Sequence, residues 1–446
     1  MELIIYEKSP HSFIFARFKI FNGTHMRVFK FGGASIATPE RIQHVAGIIS
    51  DYADQPLLVV VSALGKTTNA LEKVAEAFFK GDKQTAKQLF TALEEQHNEY
   101  ARKMLGGDAP ATLDKLTEFY TEIDWVISGP IEKPFDYYYD QIVCIGELLS
   151  TCILSAYLNA NGRPNTWIDV RDVFRTDETY RDARIDWNYT QNKVNETVKP
   201  ALEATGMVLT QGFIGATDQN ASTTLGREGS DYSAAVFANM LDAESQTIWK
   251  DVEGLLNADP KLFPNTVKIE EITYYEVIEM AFYGAQVIHP KTIKPLQNKQ
   301  IPLFVKCFLD KELKGTIIKE QTDTFVYPPI IVLKKNQTLL QVTTKDFSFI
   351  TEDNLSKLYN IFHALNIKIN LIQNAAISLV VCIDNKPDVV EQLIEVLSKD
   401  YKVLRNEDVQ LLTVRHFTPS VLEELTKGRV ALLEQKSRNT VQMVIK

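Results

Sequence analysis

The sequence predicts an α/β protein: a three-layer αβα sandwich built on a mostly parallel sheet, followed by smaller α+β units. Three observations carry this. From residue 26 onward, short β-branched runs alternate with longer stretches of helical periodicity, the pattern of a parallel sheet covered on both faces. Tyr327-Pro328-Pro329 then interrupts the alternation, and paired prolines commonly punctuate a linker. Beyond them the element order becomes β-α-β-β-α-β and begins to repeat.

The chain has 446 residues, 45% of them hydrophobic and 24% charged, which at about 150 residues per domain is material for roughly three domains. Lys and Arg number 48 against 57 Asp and Glu, a net charge of -9, so nucleic acid is not an expected partner. Cys144, Cys152, Cys307 and Cys382 form no C-x-x-C pair; this predicts neither a zinc site nor a disulfide framework and fits a reducing cytoplasm. The apolar run Leu57 to Val61, extended by Ala63 and Leu64, is far short of the roughly 20 residues that span a bilayer. Glu2, Glu7 and Lys8 stand where a signal peptide would be apolar, so no membrane partner is expected either.

Residues 1–25 mix aromatics, charges and a proline without periodicity and read as an N-terminal extension, with Met26 as a second candidate start. Val28 to Phe31 and Leu57 to Val61 form the first two strands. Between them Thr38 is an N-cap, Pro39 takes the first helical position, and Ile42, Val45, Ala46 and Ile49 recur at helical spacing, so the segment is a right-handed β-α-β unit. Residues 69–130 are helical, a lobe laid over one edge of the sheet. Strands return at Thr166 to Val170, Val208 to Gly212, Thr247 to Trp249 and Leu303 to Phe308, completing a first domain over 26–325. After the prolines come strands at Thr338 to Thr343, Ile367 to Ile372, Ile377 to Ile383 and Tyr401 to Leu404, with helices at Asn354 to Leu365 and Pro387 to Leu397. They make one unit over 330–406, and a shorter β-α-β-β pass makes a second, truncated unit over 407–446.

Several segments carry chemistry. Lys30-Phe31-Gly32-Gly33-Ala34-Ser35 ends a strand in two glycines and hands over to a helix; backbone N–H groups there can approach phosphate, and the lysine can meet charge on a transferring phosphoryl group. Gly65-Lys66-Thr67 imitates the end of a P-loop, but Val60 stands where that motif requires its first glycine, so it fails. Ser62 to Asn69 still places hydroxyls after a buried strand, where open α/β sheets bind ligands. In Thr223 to Tyr232, Arg227 offers a rigid fork for a carboxylate, while Ser230 and Asp231 open a helix. Trp249 to Gly254, running on to Ala258-Asp259-Pro260-Lys261, gathers lysines and acids around turns that could seat a nucleotide. Glu147 lies in the first turn of a helix, where an acid also serves the helix dipole. His289 reads as a capping or core residue that closes the helix containing Tyr283 to Gln286, since no second His stands at metal-ligand spacing.

Taken in order, Lys30 to Ser35, Ser62 to Asn69, Gly146 to Thr151, Asp169-Val170-Arg171, Thr210 to Gly215, Thr223 to Tyr232, Trp249 to Gly254, Ala258-Asp259-Pro260 and Gly284 to Pro290 closely resemble the aspartokinases of the amino-acid kinase superfamily. The resemblance covers residues 27 to about 320, with tandem ACT-like, ferredoxin-like regulatory units after it. It implies ATP- and Mg²⁺-dependent phosphorylation of the side-chain carboxylate of L-aspartate, the first step toward lysine, threonine and methionine. By the matching motifs, Lys30 and Asp231 are catalytic. Ser62, Thr68, Glu147, Arg227 and Ser230 hold aspartate. Lys30, Gly32, Gly33, Ser35, Lys250, Asp251 and Lys261 meet ATP, and no resident metal site is implied. An amino-acid effector at the ACT-like units and a homodimer are implied as well.

The sequence also departs from the family pattern. Glu228 stands where a second glycine is usual, Gln286 and Lys261 replace a lysine and an arginine, and Leu256 replaces a tyrosine. Ala375 and Ala376 stand where Ser-Glu usually helps to hold an inhibitory amino acid, which predicts weakened, altered or absent lysine feedback. Two alternatives follow: a kinase of glutamate or its N-acetyl form, and a non-catalytic amino-acid sensor on a degenerate kinase domain. Chain length predicts a kinase without an attached homoserine dehydrogenase.

Overall fold

A computed structural model of the chain describes residues 26–285, 288–322 and 326–446. The expected N-terminal extension and Gln286 lie outside the described residues. Strand β1 (Arg27–Phe31) leads to α1 (Pro39–Ser50) and β2 (Leu57–Val61). The handover after β1 is a single 3-10 turn, Gly33–Ile36, rather than the helix expected there. Thr38 caps α1 by accepting from Arg41 N, with Pro39 at its start, a cap that contributes about 1 kcal/mol. Next come α2 (Thr67–Phe79), α3 (Lys83–Leu105), α4 (Ala109–Ser128), α5 (Phe135–Val143) and α6 (Ile145–Ala160).

Strand β3 (Thr166–Ile168) is followed by α7 (Trp187–Lys193), α8 (Lys199–Thr205), β4 (Met207–Gln211), β5 (Ile214–Ala216), β6 (Ser222–Thr224) and α9 (Gly229–Met240). Then β7 (Ser245–Lys250), β8 (Leu255–Leu256), β9 (Lys268–Ile269) and β10 (Glu271–Thr273) lead to α10 (Tyr274–Tyr283) and α11 (Pro290–Asn298). Strands β11 (Leu303–Cys307) and β12 (Thr316–Lys319) finish this part.

The main sheet has eight strands in the order β10-β12-β11-β7-β1-β2-β4-β3. All neighbours are parallel except β11 and β12, as the alternating pattern predicts. Strand side chains alternate between two cores. Val28, Leu58 and Val60 face one; Phe29, Phe31, Val59, Val61 and Trp249 face the other, where Trp249 stacks on Phe31 with ring centroids 5.9 Å apart. Helices α2, α3 and α4 pack on α6, which itself lies on β2, β4 and the edge strand β3. The apolar stretch Phe135–Ala160 is long enough to cross a membrane, but 78% of its most apolar window is buried inside the fold, as in a core helix.

The C-terminal part is one six-stranded antiparallel sheet. Strand β13 (Ile330–Thr344), α12 (Glu352–Ala364), β14 (Ile369–Asn374), β15 (Ser378–Asp384), α13 (Pro387–Leu397) and β16 (Tyr401–Arg415) make the first pass. Helix α14 (Pro419–Thr426), β17 (Ala431–Lys436) and β18 (Thr440–Ile445) follow. The strand order is β14-β15-β13-β16-β18-β17. Both central strands are longer than the sequence pattern indicates. Ile330 to Lys334 pairs with Leu411 to Arg415, and Leu339 to Thr344 pairs with Tyr401 to Asn406, with register shifts between. The shorter second pass is therefore completed by the first half of β13.

Candidate active site

The site lies where the loops after β1, β2, β4 and β7 meet the N-terminus of α9. Gly33 makes this convergence possible: a Cβ there would lie 2.3 Å from Ala63 O and 2.9 Å from Gly65 O. Gly65 N donates to Gly33 O at 3.0 Å, so the two loops are joined backbone to backbone. Gly212 plays the same part after β4, where a Cβ would meet Ser230 Cα at 2.6 Å.

A cleft of about 460 Å³ opens at this convergence. Lys30, Ser62, Thr68, Glu147, Arg227, Ser230, Asp231 and Lys250 all line it, so residues from five separated segments meet in one place. Lys30 Nζ sits 2.6 Å from Asp231 Oδ1, and Lys250 Nζ 3.8 Å from Asp231 Oδ2. Burial alone would raise the Asp231 pKa, but the two ammonium groups outweigh it and hold the carboxyl below its ordinary value. Ser62 Oγ donates to Ser230 Oγ at 3.0 Å, and Ser150 Oγ donates to Ser62 O at 2.9 Å, which ties the β2 loop to α9 and α6.

Glu147 is 2% exposed. Its Oε1 accepts from Ala63 N at 3.3 Å, while Oε2 is buried with no hydrogen-bond partner. Burial pushes its pKa up to about 8, against the smaller lowering by Ala63 N and Lys30. A buried acid with one free oxygen in a cleft is suited to a cation. Arg227 is exposed at the rim and makes no hydrogen bond or ion pair among the described residues, leaving its fork free for a carboxylate.

A second cavity of about 460 Å³ shares Lys250 with the first and is lined by Asp251, Val252, Leu256, Lys261, Met280 and Gly284. Ile331, Val332 and Leu333 of β13 form another wall. Ile331 N donates to Asn257 O at 2.7 Å, so the C-terminal sheet is bonded to this loop. Gly32, Gly33 and Ser35 line neither cavity, and Ser35 is buried. Among the described residues no group of three or more His, Cys, Asp or Glu side chains is placed to hold a metal ion.

Four wall residues were not among the expected site residues. Tyr139, Arg181, Phe213 and Thr224 line the first cleft. Phe213 lies within the Thr210 to Gly215 motif and Thr224 within Thr223 to Tyr232; Tyr139 and Arg181 belong to no motif and reach the cleft only through the fold. His289 does not close α10, whose end is capped by Gly284 in the left-handed conformation. It opens α11 instead, accepting from Lys291 N, because Pro290 is fixed for a first helical turn.

The amino acid kinase family model matches residues 25–307. Lysine-sensitive aspartokinase 3 of Escherichia coli is 32% identical over 80% of this chain and 78% of its own length. The chain belongs to the aspartokinases of the amino acid kinase family. Among its plant relatives, the bifunctional aspartokinase/homoserine dehydrogenase 2 of Arabidopsis thaliana is 31% identical over 75% of this chain, which spans 35% of that longer protein. Two solved structures of E. coli aspartokinase III, one with aspartate and ADP and one with lysine and aspartate, match at 26% identity with TM-scores of 0.76 and 0.73. Each covers 94% of this chain and 96% of the other.

Within the family, Glu228 is the departure with a structural signature. It holds φ +55°, a conformation that favours glycine, and its Oε2 accepts from His289 N at 2.9 Å. The Glu228 carboxylate is thereby tied to the start of α11 at the cleft rim. Leu256 and Lys261 both line the second cavity.

Proposed function

We propose that this chain is an aspartate kinase, transferring the γ-phosphoryl group of ATP to the side-chain carboxylate of L-aspartate and yielding 4-phospho-L-aspartate and ADP. The observation that carries the reading is the Lys30–Asp231–Lys250 cluster at the junction of two cavities, one with polar and ionic lining and one partly apolar. The first suits a small amino acid with two carboxylates; the second suits a nucleotide. Glu147 takes the acceptor's ammonium on its free oxygen, and Ser62, Thr68 and Ser230 line its seat. In the transfer an acceptor carboxylate oxygen bonds to the γ-phosphorus as the bond to the ADP oxygen breaks. Lys30, held in place by Asp231, supplies positive charge where negative charge spreads over the transferring group, and Lys250 does so from the nucleotide side. With the reactants fixed in adjoining cavities, positioning and charge neutralisation account for catalysis without a covalent enzyme intermediate.

Mg²⁺ fits as the nucleotide's own counter-ion. Asp231 is engaged by two lysines, and the described residues offer no multi-carboxylate cage; Mg²⁺ is commonly held by substrate phosphates with one or two carboxylates. It supplies charge neutralisation on the phosphates when bound. Gly32, Gly33 and Ser35 then support the β1 loop behind Lys30, with Asp251 and Lys261 at the second cavity. Residues 26–325 carry catalysis in this proposal, and the C-terminal sheet carries regulation in a homodimer. With alanine at 375 and 376, lysine feedback should be weakened, shifted to another amino acid or absent. The test is ADP release with MgATP across L-aspartate, L-glutamate, N-acetyl-L-glutamate and no acceptor, with and without lysine. Turnover confined to L-aspartate supports the reading, whereas nucleotide binding without turnover on any acceptor favours the sensor alternative.

A further inference from the structure

Arg181 belongs to no motif, yet the fold spends two unusual features on placing it beside the cleft. Its backbone holds φ +67°, a region where a side chain is strained and from which a functional role is a fair inference. That backbone is held by Asp140, which is fully buried and whose Oδ2 accepts from Arg181 N at 3.0 Å. The remaining bonds of Asp140 go to another wall residue: Thr224 N at 2.8 Å and Thr224 Oγ1 at 2.7 Å. A buried carboxylate whose described hydrogen bonds all go to two residues of the cleft wall fixes the shape of that wall. The guanidinium of Arg181 lies 4.4 Å from the Tyr139 ring centroid, and its Nη1 donates to the exposed Asp136 at 3.1 Å. Its Nε and Nη2 make no described hydrogen bond.

The charge inventory shows what this guanidinium can do. An acceptor with two carboxylates and one ammonium leaves one carboxylate to be held, once the reacting one faces Lys30 and the ammonium meets Glu147. Arg227 and Arg181 are the two arginines lining the cleft, and a carboxylate has acceptor sites for both. We propose that Arg181 is a second carboxylate-reading residue of the acceptor cleft, acting with Arg227 on the carboxylate that does not receive phosphate, and that Asp140 positions it. This deepens the aspartate kinase reading and rests on it.

The test is initial-rate kinetics on the full chain with L-aspartate and with its α-amide, which keeps the side-chain carboxylate. Arg181→Gly suits the left-handed backbone, so its fold should be retained. It should raise KM for L-aspartate about tenfold or more, the loss expected for a charge-assisted hydrogen bond. The kcat should stay within about threefold and KM for ATP should hold, as for lost uniform binding. The preference for L-aspartate over the α-amide should narrow in the same variant. Arg181→Lys should recover part of the KM, because charge returns without the fork. Asp140→Asn should raise KM in the wild-type background and add nothing to Arg181→Gly. An unchanged KM in Arg181→Gly, or a raised KM with full preference over the α-amide, overturns the proposal. A wild-type chain that ignores L-aspartate overturns the functional reading itself, and this proposal with it.

Discussion

Lys30 and Glu147 do opposite electrostatic work in one cleft, and each makes a prediction. Lys30→Ala removes the cation 2.6 Å from Asp231 and should lower kcat by about 10²–10³, as for loss of one preorganised charge-stabilising donor. Its thermal transition should move far less, and a variant with wild-type kcat rules the role out. Glu147 is pushed up to about 8 by burial, so in the free cleft at pH 7 it is mainly protonated. An acceptor ammonium favours the ionised form, so binding should release up to one proton below about pH 8 and almost none well above it. Calorimetry in buffers of different ionisation enthalpy measures this, and Glu147→Gln should abolish the release. The folded value lies above the unfolded 4.5. Below pH 4.5 the group is protonated in both states and costs nothing; the cost grows as pH rises from 4.5 to about 8. Both residues stood out in the sequence through their motifs, but the unsatisfied Glu147 oxygen did not, since burial is a property of the assembled site.

At the scale of elements, β1, β2, α1 and α9 were legible because their signals are local: β-branched runs, the Thr38–Pro39 cap pair and helical spacing. What escaped was how elements touch. The second glycine of the Lys30 segment reads as phosphate chemistry; that its hydrogen also lets the β1 and β2 loops bond is visible only in the fold. Gly33→Ala would drive a methyl group into Ala63 O and Gly65 O. It should cost about 1–3 kcal/mol, the usual range for overpacking, and displace Lys30; a thermal melt and kcat together report both effects. The two 15-residue strands of the C-terminal sheet also escaped, since their register shifts near Lys334 to Leu339 break the alternation that marks a strand. His289 was read as a cap at the wrong helix end because a His-Pro pair closes one helix or opens the next according to where the chain turns.

Across the whole molecule, the two parts are joined by charge as well as by backbone. Arg415, 4% exposed on β16, donates to both oxygens of Glu276 on α10 at 2.8 and 3.0 Å and to Glu279 at 2.6 Å. Burial would raise Glu276, but His416 and Arg415 outweigh it and bring it down to about 2. Its folded value lies below the unfolded 4.5, so this stabilisation is present above pH 4.5 and lost as pH falls through about 2. Arg415→Ala leaves a buried carboxylate without its main partner and should cost about 3–5 kcal/mol. Because the pair links α10 to the C-terminal sheet, the variant should also separate one cooperative melting transition into two. A single unshifted transition sinks this account.

The sequence by itself determined the αβα class and the β-α-β-β-α-β pattern after the prolines, since both are written in contiguous residues whose periodicity is readable, and the resemblance of its motifs to the aspartokinases pointed to most of the cleft residues. Tertiary structure alone decided that Tyr139 and Arg181 line the cleft with Asp140 bonded to Arg181 and Thr224 behind its wall, that Ile331 to Leu333 wall the second cavity, and that Arg415 meets Glu276. Those pairs are separated by tens to more than a hundred positions in the chain, and what brings them together is the burial of sheet faces and the pairing of strands, neither of which is encoded at any single position.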